Sequence, residues 1–580
     1  MILGKVVTYS EIYGGKSELP KTTELTRGIP SSVLIHYFSF LNSVNFLKPH
    51  DLDTEKWILK QILFRFEGSE RYLLLKQYGD AILKSRSQLV TFFPLKSILN
   101  CIIDELNNAT SGKRSSISKE EELGILKRIL VQNELLDREF VKTIGKLDRD
   151  DALALYKLIW PISFPSAEFY ERKRIYFALF KAINFLEFLE KFDKFKPFHT
   201  EFLETYSVKT SLDYIKSILL LLKNAHVSNK KEFTSFFHNN YDDLNPLTKE
   251  FILNYQNKIS ISTEDQSDFK VLRKTPIIKF DDGTFAVTNW NFIIDKFYPA
   301  IIYDFFNKTK VKQLYLDRNK VPKINNYLAD IGKYFAEETL LCQILSNLIN
   351  RQDIVLQFGD RVTKNFDLYL RIDRHVFLIE FKNISLPKKA NFEEIKGLID
   401  SKFIKEGNDK KGILQLLDQI RKLESNPQEF EDFKKLGINP THLVVYPIII
   451  YTDNSLNMYG VNSYLNIAFR KEIRKIEPKI KFRIQDLVFI SYDFFLDSYD
   501  IFSRKKIDLV YLINNYYSRL FKIRKDAIKN RKSPINLHST FEDVIKPYMT
   551  KYSTYMNEQY FHGVIKQRLF KDDNFSNPRA

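Results

Sequence analysis

The stretch NFDLYLRIDRHVFLIEFKN, residues 365–383, decides the fold, because apolar and polar side chains alternate along most of its length. Alternation with a period of two predicts strands, and a tight turn at Asp373-Arg374 would make them an antiparallel hairpin. In that register Asp367 and Glu380 are direct cross-strand partners, with Cβ atoms about 4.5–5.5 Å apart. Lys382 shares their face. Two carboxylates so placed repel each other unless positive charge lies between them, and a divalent cation would supply it.

A simpler interpretation of these charges is that they form the solvated face of a half-buried hairpin. The Glu-x-Lys spacing is also common in this chain, since it recurs at Glu171/Lys173, Glu394/Lys396 and Glu477/Lys479. The tripeptide alone therefore does not identify a metal site, and the neighbouring segments must decide.

The composition describes a folded, strongly basic protein. The chain has 580 residues, enough for two to four domains, with 44% hydrophobic and 28% charged residues and a formal charge of +17. Residues 501–580 contain 16 Lys/Arg and 7 Asp/Glu, so this last part carries +9 of the excess. Such concentration favours a polyanionic partner, most simply nucleic acid. The alternative is a charge that only maintains solubility.

The two cysteines, Cys101 and Cys342, occur in unrelated contexts. They exclude a disulfide framework or a zinc knuckle and suit a reducing cytosol. The first twenty residues lack the basic and apolar regions of a signal peptide, and no apolar run approaches the ~20 residues of a spanning helix. We therefore expect a cytoplasmic protein with no membrane segment.

The pattern along the chain predicts four regions. Residues 1–260 form a large α-helical region for sensing or assembly, because Leu, Ile and Phe recur at three- and four-residue spacing from about 31 to 257. This region could bind a partner protein or a second copy of the chain. Residues 261–324 form a linker with a helix and a β-hairpin that turns at Asp282-Gly283.

The third region, residues 325–498, reads as helix, three strands, helix and strand, which is an α/β sandwich. The apolar stretch at 441–453 is typical of a central strand covered on both faces, and 484–495 predicts a further strand. Residues 499–580 form a basic helical tail. Seven of its cations are candidates for phosphate contact, with a merely solvated face as the alternative: Arg519, Lys522, Arg524, Lys525, Lys529, Arg531 and Lys532.

Residues 325–495 resemble the PD-(D/E)xK phosphodiesterase superfamily, the restriction-endonuclease-like nucleases. Members carry an acid on the first helix, an Asp on the second strand, Glu-x-Lys on the third and often a Gln on the next helix. Asp367 matches the strand aspartate, and Glu380-Phe381-Lys382 matches the tripeptide. Gln415 matches the glutamine, with Gln419 as the alternative. The expected fold is thus a multidomain α + α/β protein with a restriction-endonuclease-like α/β sandwich.

The helix acid of this pattern has two candidates, Glu337 and Glu338. Glu337 follows Ala336 in a style common in the family. Glu338 shares an α-helical seam with Ile331 and Phe335, so its carboxylate would point inward. Both remain candidates.

The resemblance implies a Mg²⁺- or Mn²⁺-dependent nuclease acting on DNA, with RNA as a further possibility. Asp367, Glu380, the helix glutamate and the carbonyl of Phe381 would be metal ligands. Lys382 would activate water or stabilise charge at the phosphate, and Gln415 would position the substrate or the lysine. A helical region joined to such a domain resembles bacterial restriction and anti-phage effectors. The alternatives are an inactive DNA-binding scaffold and a nuclease subunit of a transposition or repair complex.

Overall fold

A computed structural model of the chain divides it into two compact units. Unit 1 comprises Met1–Leu147 and Glu168–Val311, and unit 2 comprises Asp148–Ala167 and Lys312–Ala580. The structure describes residues 5–14, 18–47, 52–84, 90–110, 112, 114, 116–144, 153–170, 175–228, 240–257, 269–342, 345, 354–358, 367–384, 386, 391–407, 409–498, 509–529 and 539–549.

Unit 1 is mainly α-helical, as its apolar spacing predicts, and the apolar residues at this spacing form a buried core. The sequence pattern does not predict a short parallel strand pair, Lys5–Val6 with Val90–Thr91. The described helices of unit 1 are Tyr9–Tyr13, Thr22–Leu25, Ser31–Leu47, Leu52–Leu63, Gly68–Lys84, Leu95–Asn107, Lys119–Ile144, Ile175–Lys191, Lys196–Thr205, Ser211–Ser228, Pro246–Tyr255, Lys270–Lys274, Trp290–Ile294 and Pro299–Lys308.

The expected hairpin near Asp282-Gly283 is present, as Ile277–Lys279 paired antiparallel with Phe285–Val287. Gly283 has a φ of +82°, which glycine adopts without strain. A third strand, Gln256–Asn257, pairs parallel with the first. The hairpin and the helix after it are therefore parts of unit 1, whereas the sequence pattern predicts a separate linker.

Unit 2 contains a six-stranded mixed sheet. Its order is β5-β4-β3-β2-β1, and β6 also pairs with β4, further along that strand than β5. Strand β2 is antiparallel to both β1 and β3, and β4 runs parallel to β3, β5 and β6. The strands are β1 (Ile354–Phe358), β2 (Leu368–Ile372), β3 (His375–Lys382), β4 (Val444–Tyr451), β5 (Arg483–Ile484) and β6 (Val488–Ser491).

The centre of the sheet is β4, and all its residues after Val444 are buried. Its uninterrupted apolar run therefore predicts its position correctly. The expectation of one strand over 484–495 is wrong in its second half. Ser491 ends β6, and its hydroxyl accepts a hydrogen bond from the Phe494 backbone N–H at 3.2 Å, so a helix begins where the apolar pattern continues.

Helices cover the sheet on both faces. One face packs with α2, α3 and α4 in a single apolar cluster, and Tyr446 on the other face bonds Asn514 of α6 at 3.4 Å. The sequence pattern does not predict α2 and α4. The helices of unit 2 are α1 (Ile324–Asp330, continued by a π-helical segment, Ile331–Leu341), α2 (Phe392–Phe403), α3 (Gly412–Ser425), α4 (Val461–Ile473), α5 (Tyr492–Asp497), α6 (Leu509–Lys529) and α7 (Phe541–Met549).

A sequence-distant helix, Ala154–Tyr170, contributes aromatic side chains to this same core. Trp160 is completely buried, its ring lies 5.5 Å from that of Phe392, and its indole N–H donates to the Tyr459 carbonyl at 3.1 Å. The sequence pattern predicts this helix as part of the N-terminal region, because helical periodicity does not reveal which core a helix joins.

No helix among the described residues is long and apolar enough to span a bilayer.

We expect Trp160→Ala to lower the free energy of unfolding of unit 2 by about 3–5 kcal/mol, because it leaves a large cavity and an unpaired carbonyl. Amide hydrogen exchange in β4 and α3 would report the loss. The matched control is Leu436→Ala, where the side chain is exposed and the change should stay within about 0.5 kcal/mol. Equal protection in both variants would contradict the role of Trp160.

Candidate active site

The β2–β3 hairpin has the register that the sequence predicts. Leu368 pairs with Ile379 and Ile372 with His375, which leaves Asp373-Arg374 as the turn and sets Asp367 opposite Glu380. Asp373 takes a φ of +52°, a conformation that aspartate tolerates in tight turns.

The polar face of this hairpin is not solvated. Glu380 is 1% exposed, and Arg371 is buried in an ion pair with Glu431. Tyr369, between Asp367 and Arg371, donates to the same Glu431 carboxylate at 2.6 Å. The charges along this face are therefore paired inside the unit, which removes the simpler interpretation of a solvated surface.

Asp367, Glu380 and Lys382 form a connected cluster at the end of the hairpin. Asp367 Oδ2 accepts the Phe381 backbone N–H at 2.8 Å, and Lys382 Nζ donates to Glu380 Oε1 at 2.5 Å. The two carboxyl groups also share a hydrogen bond, and the pKa values of both are raised, mainly by burial.

Helix α3 brings both of its candidate glutamines to this cluster. Lys382 Nζ donates to Gln415 Oε1 at 2.9 Å, and the same oxygen accepts the Gly412 N–H at 2.7 Å in the first turn of the helix. Gln419, one turn on and on the same side, donates to Glu380 Oε2 at 3.3 Å. Gln415 therefore contacts the lysine, and Gln419 contacts the glutamate. Both glutamines, which the resemblance offers as alternatives, lie at the cluster.

The helix acid nearest the cluster is Glu337. Burial, followed by the nearby charges of Asp367 and Glu380, raises its pKa to about 8. Glu338 is exposed, and its charge acts on Cys342, whose pKa is raised mainly by burial and then by Glu338. The expectation that Glu338 points inward is therefore wrong.

The π-helical segment explains this error. Its hydrogen bonds run from residue i to i+5, as in the bond from the Cys342 N–H to the Glu337 carbonyl. The inward positions then recur at longer spacing than the α-helical three and four, at Ile331, Phe335/Ala336, Leu340/Leu341 and Leu345. An α-helical period places Glu338 on this seam, whereas the wider turns rotate it outward. Segments of this kind occur often at functional sites.

Burial dominates the protonation of the cluster. It raises the pKa of Glu380 to about 8, with further raising by Asp367 and an opposing effect of Lys382. Burial also raises the pKa of Asp367, against the lowering effects of Lys382 and the Phe381 N–H. Burial lowers the pKa of Lys382, but Glu380 and Asp367 outweigh it, so that pKa is raised. One ammonium group therefore faces three acids whose pKa values are all raised, mainly by burial.

The strand end that carries Lys382 is fixed by contacts that sequence reasoning missed. The Thr452 N–H donates to the Lys382 carbonyl at 3.2 Å, and Thr452 Oγ1 accepts the Ile384 N–H at 3.1 Å. Asp453 accepts the Leu386 N–H at 2.7 Å. In the sequence, these contacts are indicated only by Thr452 and Asp453, which directly follow the apolar run of β4.

The candidate metal ligands do not form a ready-made cage. Over the described part of the chain, no group of three or more His, Cys, Asp or Glu side chains is arranged to hold a metal ion. The Phe381 side chain is buried, with its ring 6.1 Å from that of Tyr492, and its N–H is taken by Asp367. Of the predicted acidic ligands, Asp367 and Glu380 lie together, and the charges of both raise the pKa of Glu337. The Phe381 carbonyl as a further ligand stays a prediction.

The basic residues of α6 divide into two groups. Arg519 and Arg524 are half-buried and face the unit itself: the Arg519 guanidinium lies 4.9 Å from the centre of the Tyr548 ring, and Arg524 donates to Ser463 Oγ at 3.3 Å. The second group consists of the lysines of α6, and all three are exposed: Lys522, Lys525 and Lys529. Arg531 and Lys532 lie outside the described residues.

Comparison with protein-family models, with curated proteins and with solved structures found no match to this chain. The function of this chain is therefore inferred from the arrangement of its own residues. The most specific arrangement is the buried cluster at the end of β3, where residues distant in sequence converge on one another.

The raised pKa of Glu380 predicts a pH dependence of stability in metal-free protein. Between the unfolded pKa near 4.5 and the folded pKa of about 8, only the folded state keeps the proton, so stability falls as pH rises through this window. Glu380→Gln removes this effect. We expect the variant to gain stability relative to wild type from about pH 5 to about pH 8, as measured by hydrogen exchange of β3 amides in EDTA. The control Glu477→Gln, at an exposed position, should show a constant difference.

Proposed function

We propose that unit 2 is a metal-dependent nuclease domain that hydrolyses phosphodiester bonds in DNA. The observation that carries this proposal is the convergence of Asp367, Glu380, Lys382 and Gln415 at the end of one buried hairpin. Buried acids with raised pKa values beside a lysine are typical of catalytic sites. A structural ion pair would not need three acids around one ammonium group.

The chemistry of the donor groups fits a hard divalent cation. Asp367 and Glu380 offer only oxygen ligands, which suit Mg²⁺ or Mn²⁺, and Glu337 lies within electrostatic reach. Burial and the charge of Asp367 raise the pKa of Glu380, and a divalent cation would offset the negative charge that these acids bring together. Gln419 Oε1 is buried without a hydrogen-bond partner among the described residues, so this side of the cluster has unused acceptor capacity.

When bound, the cation would supply charge neutralisation at the phosphate and a more acidic water. Lys382 would stabilise the negative charge that develops on the phosphoryl oxygens, because its ammonium group keeps its proton and is held in the cluster. Gln415 positions that ammonium group through its side-chain oxygen. Gln419 holds the carboxyl of Glu380, and the Phe381 N–H orients Asp367.

The order of elements in unit 2 and the position of the cluster at the end of β3 support a restriction-endonuclease-like fold. The free thiols Cys101 and Cys342 suit a reducing cytoplasm.

By analogy of layout, we propose an effector of a bacterial anti-phage or restriction-type system, in which the helical unit 1 senses a signal or binds a partner or a second copy.

One observation favours a second candidate, an inactive DNA-binding scaffold. Over the described residues, no group of three or more His, Cys, Asp or Glu side chains is arranged to hold a metal ion. A nuclease subunit of a transposition or repair complex would use the same site as the first candidate. Turnover separates the scaffold from both nucleases.

We expect the protein to cleave plasmid or linear DNA with Mg²⁺ or Mn²⁺ and to lose this activity in EDTA. Asp367→Ala and Lys382→Ala should each slow cleavage by at least about a hundredfold, because one removes a ligand and the other a charge at the phosphate. RNA and single-stranded DNA, assayed beside the duplex, would show the preferred substrate.

The matched control is Lys479→Ala, which alters an exposed Glu-x-Lys and should cleave at the wild-type rate. Cleavage that survives both active-site substitutions would place the reaction elsewhere. DNA binding without cleavage in any metal would favour the scaffold.

The two adjacent helix acids provide a second test. Glu337→Gln should raise the Mg²⁺ concentration needed for half-maximal cleavage by about 10- to 100-fold, since its carboxylate acts on the cluster. Glu338→Gln should change it by no more than about twofold, because that side chain is exposed. A metal titration of the cleavage rate measures both. The reverse order of effects would restore Glu338 as the helix acid.

A further inference from the structure

Helix α6 presents one continuous exposed face along its length. The exposed positions recur every three or four residues, which places them on one side of the helix. They are Tyr511, Asn514, Ser518, Phe521, Lys522, Lys525, Ile528 and Lys529. Asp526, the only acid in the helix, is half-buried. The exposed face therefore combines positive charge with large apolar side chains and carries no exposed carboxylate.

We propose that this face binds single-stranded DNA, with Phe521 as a platform on which a base stacks. The inference deepens the proposed function and rests on it, because DNA is the substrate proposed for unit 2. The lysines would contact phosphates, and the aromatic ring would contact an unpaired base.

The exposure of the apolar side chains is the first argument. Phe521 is 70% exposed and Ile528 is 72% exposed, although burying such a side chain typically gains about 1.5–3 kcal/mol. They lie two helical turns apart, roughly 10 Å along the axis, with Lys525 between them. Apolar groups that alternate with ammonium groups fit a ligand that alternates flat apolar rings with negative charge.

The exposed ring of Phe521 favours a single strand over a duplex. Lysines alone bind the phosphates of either form. In a duplex, neighbouring base pairs cover the faces of the bases, so an exposed phenyl ring would gain no stacking there. Only an unpaired strand offers base faces and phosphates together.

The opposite face of α6 is fixed to unit 2, so the exposed face is held in place before any ligand binds. Tyr517 donates to the Asp486 carbonyl at 2.5 Å, and Asn462 donates to the Tyr516 hydroxyl at 2.5 Å. Arg519 and Arg524 take part in the internal contacts described above. A rigid platform loses less entropy on binding than a mobile one.

Binding in EDTA tests this inference without any cleavage. We expect a labelled oligothymidylate to bind more tightly than the matching duplex, and Phe521→Ala to weaken that binding by about five- to a hundredfold. Phe521→Tyr should keep the affinity, whereas Phe521→Leu should lose it, because stacking needs an aromatic ring. Tyr72→Ala, at an exposed aromatic residue of unit 1, should bind as wild type does.

The contribution of the lysines is measured separately, from the salt dependence of the binding affinity. Lys522→Ala with Lys525→Ala should reduce the slope of log affinity against log salt by about 1.4, because each phosphate neutralised on a single strand contributes about 0.7 to that slope. The exposed pair Lys434 and Lys435, changed in the same way, should leave the slope unchanged.

Three results would overturn the inference: tighter binding of the duplex or of an oligouridylate, equal affinity of Phe521→Leu and wild type, or Phe521-dependent binding to phosphatidylserine vesicles but not to the oligonucleotide. The last result would assign the face to an anionic membrane surface. Metal-dependent cleavage with no contribution from Phe521 would remove the platform and leave the nuclease proposal standing. Phe521-dependent binding with no cleavage would keep the stacking platform and remove the nuclease proposal.

Discussion

The buried pairing of Asp367 with Glu380 is the constraint on which the rest of the site depends. Two carboxyl groups opposite each other in an antiparallel hairpin cannot both ionise inside a protein without a compensating charge. The sequence supplies one ammonium group, Lys382, on the same face, and burial raises the pKa of Glu380 to about 8, which favours its neutral form. Glutamines from α3 then satisfy the polar atoms that remain. The contacts of Lys382, Gln419 and the Phe381 N–H with these two acids are the partners that their burial requires.

Most of this site can be predicted because it lies on a short, strongly patterned segment. A two-residue turn fixes the register, and the register fixes which side chains share a face, so the partners of Asp367 follow from counting. Gln415 is predictable through a resemblance to known nucleases. In contrast, the pairing of Arg371 with Glu431 joins residues sixty positions apart, and no local sequence pattern predicts it.

The failures of prediction have equally specific causes. An α-helical period places Glu338 on the inner seam, and the π-helical segment changes that period. The alternating pattern extends the strand over 484–495 too far, because it does not distinguish Ser491, a helix cap, from a strand residue. The helix that bears Trp160 is assigned to the wrong region because periodicity shows which side of a helix is buried but not what covers it.

The same physical conflict bears on the stability of unit 2 and on the activity that we propose for it. A cluster of acids in the core costs free energy, since their charged forms lose hydration that one lysine only partly replaces. A purely structural core would replace such a cluster with apolar side chains of similar volume. The chain instead holds the acids with the Phe381 N–H, Gln419 and Lys382, and it anchors the strand end through Thr452. Such a set of buried polar contacts is understandable if the uncompensated charge has a ligand, and a divalent cation with a phosphate is the ligand whose charges match it.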